Sequence, residues 1–281
     1  MIVRKEPNGE MLLLTQTDHS RLAGQFAAHW GNDDFAPLTP YESVARAATF
    51  HDFGYLRYET APIFDVASGE TPMFRQVPTD EQRLEEYQWC FEWLLGLDPY
   101  ASLLVSMHRT GLWRSRYKTI ASQIHKVKAS DPLIDAFIAR QEALRPELIA
   151  RHGIDPKQLW INYRLLQVWD LMSLYFSCAP PFDDEIAPVP TSYAAADDEG
   201  VTITLTPVDA TTVALDPYPF DVRPLRIALP AKRLAQSKFA DQDAFRKAYF
   251  QAPVELMTFT VVPGTGAVAA RETALAGSAS A

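Results

Sequence analysis

Five histidine and aspartate side chains stand on otherwise apolar helical stretches of this sequence, where polar groups are not expected. His19 shares a stripe with Leu22, Ala23, Phe26 and Trp30, at offsets of three, four, seven and eleven residues. His51 follows Val44, Ala47 and Ala48 at offsets of seven, four and three, and Asp52 comes directly after it. His108 lines up with Tyr100, Leu104 and Met107, and Asp170 is the sole acid in LWINYRLLQVWDLMSLYF, one and two turns beyond Leu166 and Tyr163. A lone ionised carboxylate in such a helix costs about several kcal/mol unless compensated, so Asp170 either pairs with a cation or borders a cavity. One inward polar residue has an ordinary explanation. Four helices that each aim a His or Asp inward call for a shared partner, and a divalent metal is the simplest one. Imidazole and carboxylate without thiolate suit iron, manganese, zinc or related ions.

Just after His108 come Arg109, Arg114, Arg116 and Lys118. Guanidinium forks match phosphate oxygens in pairs, so the cluster reads as a candidate phosphate clamp, with a solvated helix start as the plainer alternative. Arg164 lies six residues before Asp170, roughly on the opposite side of that helix. His29 and His152 read as surface or helix-end residues, and Trp89, Trp93, Trp160 and Trp169 as core filling. There is no G-x-S-x-G elbow, no GxxxxGK[ST] loop, no G-x-G-x-x-G fingerprint and no Cys-x-x-Cys pair, which narrows the field to metal chemistry or none.

The elements that must position these residues are mostly helices. MIVRK and EMLLLT, joined across Pro7-Asn8-Gly9, predict a β-hairpin over 1–15. Helical periodicity then predicts helices over about 17–30, 40–53, 80–95, 99–109, 116–129, 131–143 and 156–177. Asp98-Pro99 and Asp155-Pro156 each place an N-cap before a proline at the first turn. Residues 59–79, with three prolines and no period, read as a long surface loop able to close over a site. The acidic, proline-rich 181–200 reads as a connector. Residues 201–263 carry β-forming runs (VTITLT, TVAL, LRIAL, ELMTFTVV) with one helix near 241–250, and 264–281 reads as a disordered tail. The expected fold is mainly α: a helical body over 16–180, and a smaller antiparallel sheet built from the C-terminal region and the N-terminal hairpin.

Composition sets the limits. At 281 residues, with 47% hydrophobic and 22% charged residues, the chain has the balance of a packed globular protein. A net charge of -9 argues against a nucleic-acid binder, and no apolar run is long enough to span a bilayer. Cys90 and Cys178, each in an apolar helical stretch, read as reduced core residues, and no signal-peptide pattern opens the chain, so a cytoplasmic location is expected.

The order His19, adjacent His51-Asp52, His108 and Asp170, each on a helix, resembles the HD superfamily of metal-dependent phosphohydrolases over about residues 15–180. The likeness rests on TQTDHSRLAGQFAAHW, ATFHDFGY and LLVSMHRTGL, in a form similar to an uncharacterised bacterial family, a domain of unknown function, within that superfamily. The resemblance implies an HD-type helical bundle core in which His19, His51, Asp52 and Asp170 hold one divalent ion (Fe, Mn, Zn, Ni or Mg), with a second ion left open. It implies hydrolysis of a phosphomonoester or phosphodiester by metal-activated water, with Asp52 and His108 in catalytic roles. His108 would steady the phosphate, protonate the leaving oxygen or hold a second ion. Arg109, Arg114 and Arg116 would contact a small phosphorylated or nucleotide-like substrate. Two alternatives stay open: an HD-fold diiron oxygenase, and a non-catalytic metal- or nucleotide-binding regulatory module. Homo-oligomerisation is also open. The sequence departs from dinuclear members at His125, which sits among Lys126 and Lys128 off the Ile120, Ile124, Val127 face, and the lysine often found after the HD pair is missing from HDFGYLRYE.

Overall fold

The computed structural model describes residues 1–120 and 131–264. The Asn8-Gly9 turn, with Gly9 at φ +87°, folds the expected hairpin: β1 (Ile2–Lys5) pairs antiparallel with β2 (Met11–Leu14). Thr15 then caps α1 (Gln16–Ala28) by accepting from the Asp18 amide at 2.9 Å. α2 (Tyr41–Phe50) runs into a 3-10 turn at Phe53–Tyr55 and the short α3 (Leu56–Thr60). α4 (Glu81–Leu97), α5 (Pro99–Trp113), α6 (Pro132–His152) and α7 (Pro156–Cys178) follow, and Asp98 and Asp155 cap α5 and α7 ahead of their prolines as the sequence predicts. No helix among the described residues is long and apolar enough to cross a membrane.

The expectation of a mainly α protein, an HD-type helical bundle core with a smaller antiparallel sheet, is overturned. Among the described residues 48% are helical and 20% extended, and seven strands form one mixed sheet, an α/β fold. Its strands are β1, β2, β3 (Asp184–Val189), β4 (Val201–Pro207), β5 (Thr212–Asp216), β6 (Leu225–Leu234) and β7 (Val254–Pro263), in the order β1-β2-β6-β7-β5-β4-β3. Three features enlarge it. The hairpin is extended into the sheet through β2 against β6, with Met11 opposite Leu234. The segment read as a connector supplies β3, whose Pro188 obscured it in the sequence and is tolerated because β3 is an edge strand. After α8 (Gln242–Gln251) the chain re-enters between β6 and β5, so β7 is antiparallel to β6 but parallel to β5.

One face of this sheet and the helices share a single core. Leu225, Ile227, Leu229 and Ala231 alternate inward along β6 and join Phe259 and Val261 of β7 with Leu22 and Phe26 of α1 and Trp169 and Phe176 of α7. Phe26 lies 5.8 Å from both Phe176 and Phe220, and Phe176 lies 5.0 Å from Phe259. The far side of the hairpin carries a smaller cluster in which Met11, Leu13 and Leu234 meet Phe245 and Tyr249 of α8. Phe64 stacks on Phe245 there, so the 59–79 segment is anchored on α8 and the hairpin: Lys5 pairs with Glu70 at 2.7 Å, and the Phe239 amide donates to the Gly69 carbonyl at 2.9 Å.

The contact that sets α1 against α2 is close enough to require a glycine. A Cβ on Gly24 would lie 3.1 Å from the Cα of Thr49 and collide with its hydroxyl. Ser20 reinforces the crossing, its hydroxyl reaching the Thr49 carbonyl at 2.9 Å. Gly24→Ala should therefore destabilise the protein by about 1–3 kcal/mol through overpacking, despite the better helix propensity of alanine, and a fall in thermal midpoint measures it. Cys90 and Cys178 are free, and burial pushes their thiols up to about 12 and about 11. In native protein at neutral pH neither should be alkylated by iodoacetamide at the rate of an ordinary exposed thiol, whereas both should react fully once unfolded, as mass spectrometry would show.

Candidate metal centre

α1 brings in His19, the end of α2 brings His51 and Asp52, α5 brings His108 and α7 brings Asp170, and none of these five residues is more than 4% exposed. α2 ends at Phe50; His51 keeps helical angles, and the chain turns at Asp52 into the following 3-10 turn, so two adjacent side chains enter the same space. His19 Nε2 is 3.1 Å from Asp170 Oδ1, 3.3 Å from His51 Nε2 and 3.7 Å from Asp52 Oδ2, and His51 Nε2 is 3.4 Å from Asp170 Oδ1. With metal bonds of about 2.0–2.2 Å to nitrogen and oxygen, neighbouring donors stand about 3.0–3.5 Å apart, so His19 Nε2, His51 Nε2 and Asp170 Oδ1 are at ligand spacing, with Asp52 Oδ2 somewhat farther from His19.

The hydrogen bonds behind the two imidazoles fix which nitrogen faces that space. His51 Nδ1 meets the carbonyl of Ala48 at 2.8 Å, an acceptor only, so Nδ1 carries the proton. His19 Nδ1 meets Ser173 Oγ at 2.8 Å, and because that hydroxyl donates to the Asp170 carbonyl at 2.9 Å it accepts from His19. Both Nε2 atoms therefore turn lone pairs toward each other and toward carboxylate oxygens. That arrangement repels itself unless a cation or an added proton lies between, and the donor set fits a divalent ion. Two buried groups can hold one: His19, His51 and Asp52, and His51, His108 and Asp170, each offering atoms within 4.8 Å of one another.

Each aspartate divides its carboxylate between this space and an arginine. Arg109 bonds Asp52 Oδ1, and Arg116 bonds Asp170 Oδ2 at 2.7 Å, leaving Asp52 Oδ2 and Asp170 Oδ1 for the histidines. Arg109 is clamped among aromatic rings, 4.0 Å over Tyr87 and 5.4 Å from Tyr55. Arg116 reaches inward from Ser115–Lys118, four residues with φ between +49° and +59°, a left-handed turn that costs about 1–2 kcal/mol per non-glycine residue. Its guanidinium also bonds Gln167 Oε1, and Gln167 Nε2 meets His108 Nδ1 at 3.0 Å. The His108 ring packs 4.6 Å from that of His51, and its Nε2 is buried without a hydrogen-bond partner.

The electrostatics follow the geometry. Burial alone would lift Asp170, but Arg116, His19 and His51 together hold its carboxyl well below the usual carboxylate range. Burial disfavours charge on His51, yet Asp170 and Asp52 outweigh it and raise the imidazole above its ordinary value. Burial, helped by the charges of His51, Arg109 and Arg116, holds His108 well below the ordinary histidine value.

The sequence-selected residues thus separate into two sets. His19, His51, Asp52, His108 and Asp170 converge, with Arg109 and Arg116 bound to the aspartates. Arg114 points away, its side chain 45% exposed and paired with Glu142 at 3.3 Å. Arg164, on the other side of α7, caps the carbonyls of Ala196 and Glu199 at 2.7 Å each and so anchors the 181–200 segment. His29 pairs with Asp221 at 3.0 Å near the surface, and His152 ends α6. His125 and most of the helix predicted over 116–129 lie outside the described residues, as does the tail from 265 onward. Gln167 and Ser173 went unselected. Their signal was present: with Asp170 they form a polar stripe at three-residue spacing on an apolar helix.

Because the Arg116–Asp170 pair is buried, removing one partner strands the other. Arg116→Met should cost about 3–5 kcal/mol in chelator-treated protein. Added zinc should restore part of that loss, since an ion beside Asp170 replaces the missing cation, whereas zinc should not restore Asp170→Asn. Thermal denaturation with and without zinc checks both.

The chain belongs to the DUF3891 family, described as a protein of unknown function, whose model matches residues 1–236. No curated protein and no solved structure matches it.

Proposed function

For this member of the DUF3891 family we propose a metal-dependent hydrolase acting on phosphate esters, with His19, His51, Asp52 and Asp170 holding one divalent ion. The support is the convergence of His19, His51, Asp52 and Asp170 in one buried space, with three of their donor atoms within 3.4 Å of one another and both imidazole Nε2 atoms turned inward. The order of these residues along the helices is also that of the HD superfamily they resemble. Held there, a divalent ion supplies a water of lowered pKa and a Lewis acid for a phosphoryl oxygen.

The chain's own groups do the rest. Asp52, with Oδ1 fixed by Arg109, has only Oδ2 turned to the centre, where that oxygen would both touch the ion and stand beside an attacking water whose proton it could accept. Ser173 and Ala48 orient the two imidazoles from behind, and Gln167 does the same for His108. Arg109 and Arg116 balance the charges of Asp52 and Asp170, so a bound divalent ion would leave the centre net positive in a protein whose net charge is -9, which favours a small anionic, phosphorylated substrate.

One observation favours a second reading, a non-catalytic module stabilised by its ion. Beside His51 the cavity lined by Gly54, Cys90, Ser106, Arg109 and Gln141 measures only about 10 Å³, room for roughly one water and not for a phosphate ester. A hydrolase with this centre must open to admit substrate.

Elemental analysis of protein purified without chelator, followed by a panel of phosphomonoesters and phosphodiesters, tests both readings. The hydrolase reading expects about one ion per chain, lost in His19→Ala and Asp170→Asn, and a turnover that falls by about a hundredfold or more in Asp52→Asn. A bound ion that raises the thermal midpoint without turnover on any ester supports the module. Protein that takes up no ion rejects both.

A further inference from the structure

The three histidines at the centre differ in the nitrogen they present, and the difference assigns them different roles. Gln167 is the reason. Its Oε1 faces the guanidinium of Arg116, which can only donate, so the amide must be oriented with Oε1 accepting and Nε2 turned to His108. An amide NH₂ can only donate, so His108 Nδ1, 3.0 Å away, accepts. A neutral imidazole with an accepting Nδ1 carries its proton on Nε2. The reverse amide orientation would set NH₂ against guanidinium, two donors face to face. Arg116 is in turn fixed by its second bond, to Asp170 at 2.7 Å.

We infer that Arg116 and Gln167 are positioning residues that lock His108 in the Nε2–H form, making it a hydrogen-bond donor to an oxyanion at the centre and not a ligand of a metal ion. His19 and His51, backed by acceptors, present lone pairs; His108, backed by a donor, presents N–H. His108 Nε2 is wholly buried and has no partner within the protein, which is where a donor waiting for a ligand oxygen would stand. The ring packs against His51, so an oxygen accepting from Nε2 would sit close to the atoms that hold the ion. The same tautomer removes the third ligand from the group formed by His51, His108 and Asp170, and with it a second ion and diiron chemistry. A phosphate or comparable oxyanion is the ligand class this donor suits, because an N–H of neutral imidazole binds an anionic oxygen without adding charge.

The inference rests on the proposed metal centre only for the oxyanion's position; the tautomer can be read without any metal. Long-range 1H–15N correlation spectra of 15N-histidine-labelled protein in excess chelator report which ring nitrogen of each histidine is protonated, with the His108 signals assigned by their loss in His108→Gln. The expected result is a proton on Nε2 and none on Nδ1 of His108. Gln167→Glu, which replaces the donating amide with an acceptor, should transfer the His108 proton to Nδ1, while Gln167→Asn, keeping the amide, should leave part of the population in the original form. A His108 proton on Nδ1 in the unaltered protein overturns the inference.

In zinc-loaded protein, His108→Leu should keep the zinc stoichiometry and weaken binding of inorganic phosphate by about ten- to a hundredfold, the range of one hydrogen bond to a charged acceptor. Loss of zinc in that variant would make His108 a ligand and likewise overturn the inference. Should His108→Leu fail to fold, His108→Gln carries the zinc stoichiometry, and Gln167→Glu, which removes the Nε2 donor, carries the phosphate measurement with a weakening of similar size expected. Failure of the unaltered protein to take up zinc would sink the proposed centre while leaving the tautomer result to stand or fall by itself.

Discussion

The two buried carboxylates each serve two masters, and the rest of the centre depends on that division. Asp52 gives one oxygen to Arg109 and Asp170 gives one to Arg116; the remaining oxygens face His19 and His51. An aspartate buried without a cation would be driven neutral, and a neutral carboxyl is a poor ligand. Arg116, with His19 and His51, keeps Asp170 ionised without an ion and Arg109 fixes the orientation of Asp52, so the pocket is prepared before anything binds. They also limit each carboxylate to a single free oxygen, which keeps the donor count low and the geometry defined.

That preparation is built outward in layers. Backbone and hydroxyl acceptors set the tautomers of His19 and His51, and a donating amide sets His108 the other way. Aromatic rings hold Arg109, while the left-handed turn at Ser115–Lys118 delivers Arg116. Backbone strain of this kind persists only where its surroundings hold it, and here the holding contacts are bonds to Asp170 and Gln167. The sheet contributes from behind: α1 and α7 rest on it through Phe26, Phe176 and Phe259, so the histidine and aspartate at its helical side are carried on a broad, rigid base.

The enclosure of the centre is the feature that bears most on function. A site in which every donor is nearly inaccessible, with space for about one water beside it, favours tight and selective retention of an ion. Turnover of a phosphate ester would demand movement, and Arg116 stands on the most strained backbone near the site. Binding of an oxyanion would compete with Asp170 for that guanidinium, which links substrate charge to the only described element held in an unfavourable conformation across several consecutive residues.

The sequence alone determined which residues would converge, because a polar group placed in phase with an apolar stripe must go where the stripe goes. His19, His51, Asp52, His108 and Asp170 were legible for that reason, as were the helices that carry them and the Asn-Gly hairpin. Tertiary structure alone decided the partners. Nothing in the spacing of Arg116 shows that it turns inward to Asp170 while Arg114, two residues earlier, turns out to Glu142, since that choice depends on four positive φ angles. Nor does local pattern reveal the sheet's size: Pro188 hides β3, and β7 finds its place between β5 and β6 only after a helix intervenes. Periodicity reports the face a side chain occupies, whereas hydrogen-bond direction, strand order and the tautomer of a buried histidine are set by atoms far apart in the chain.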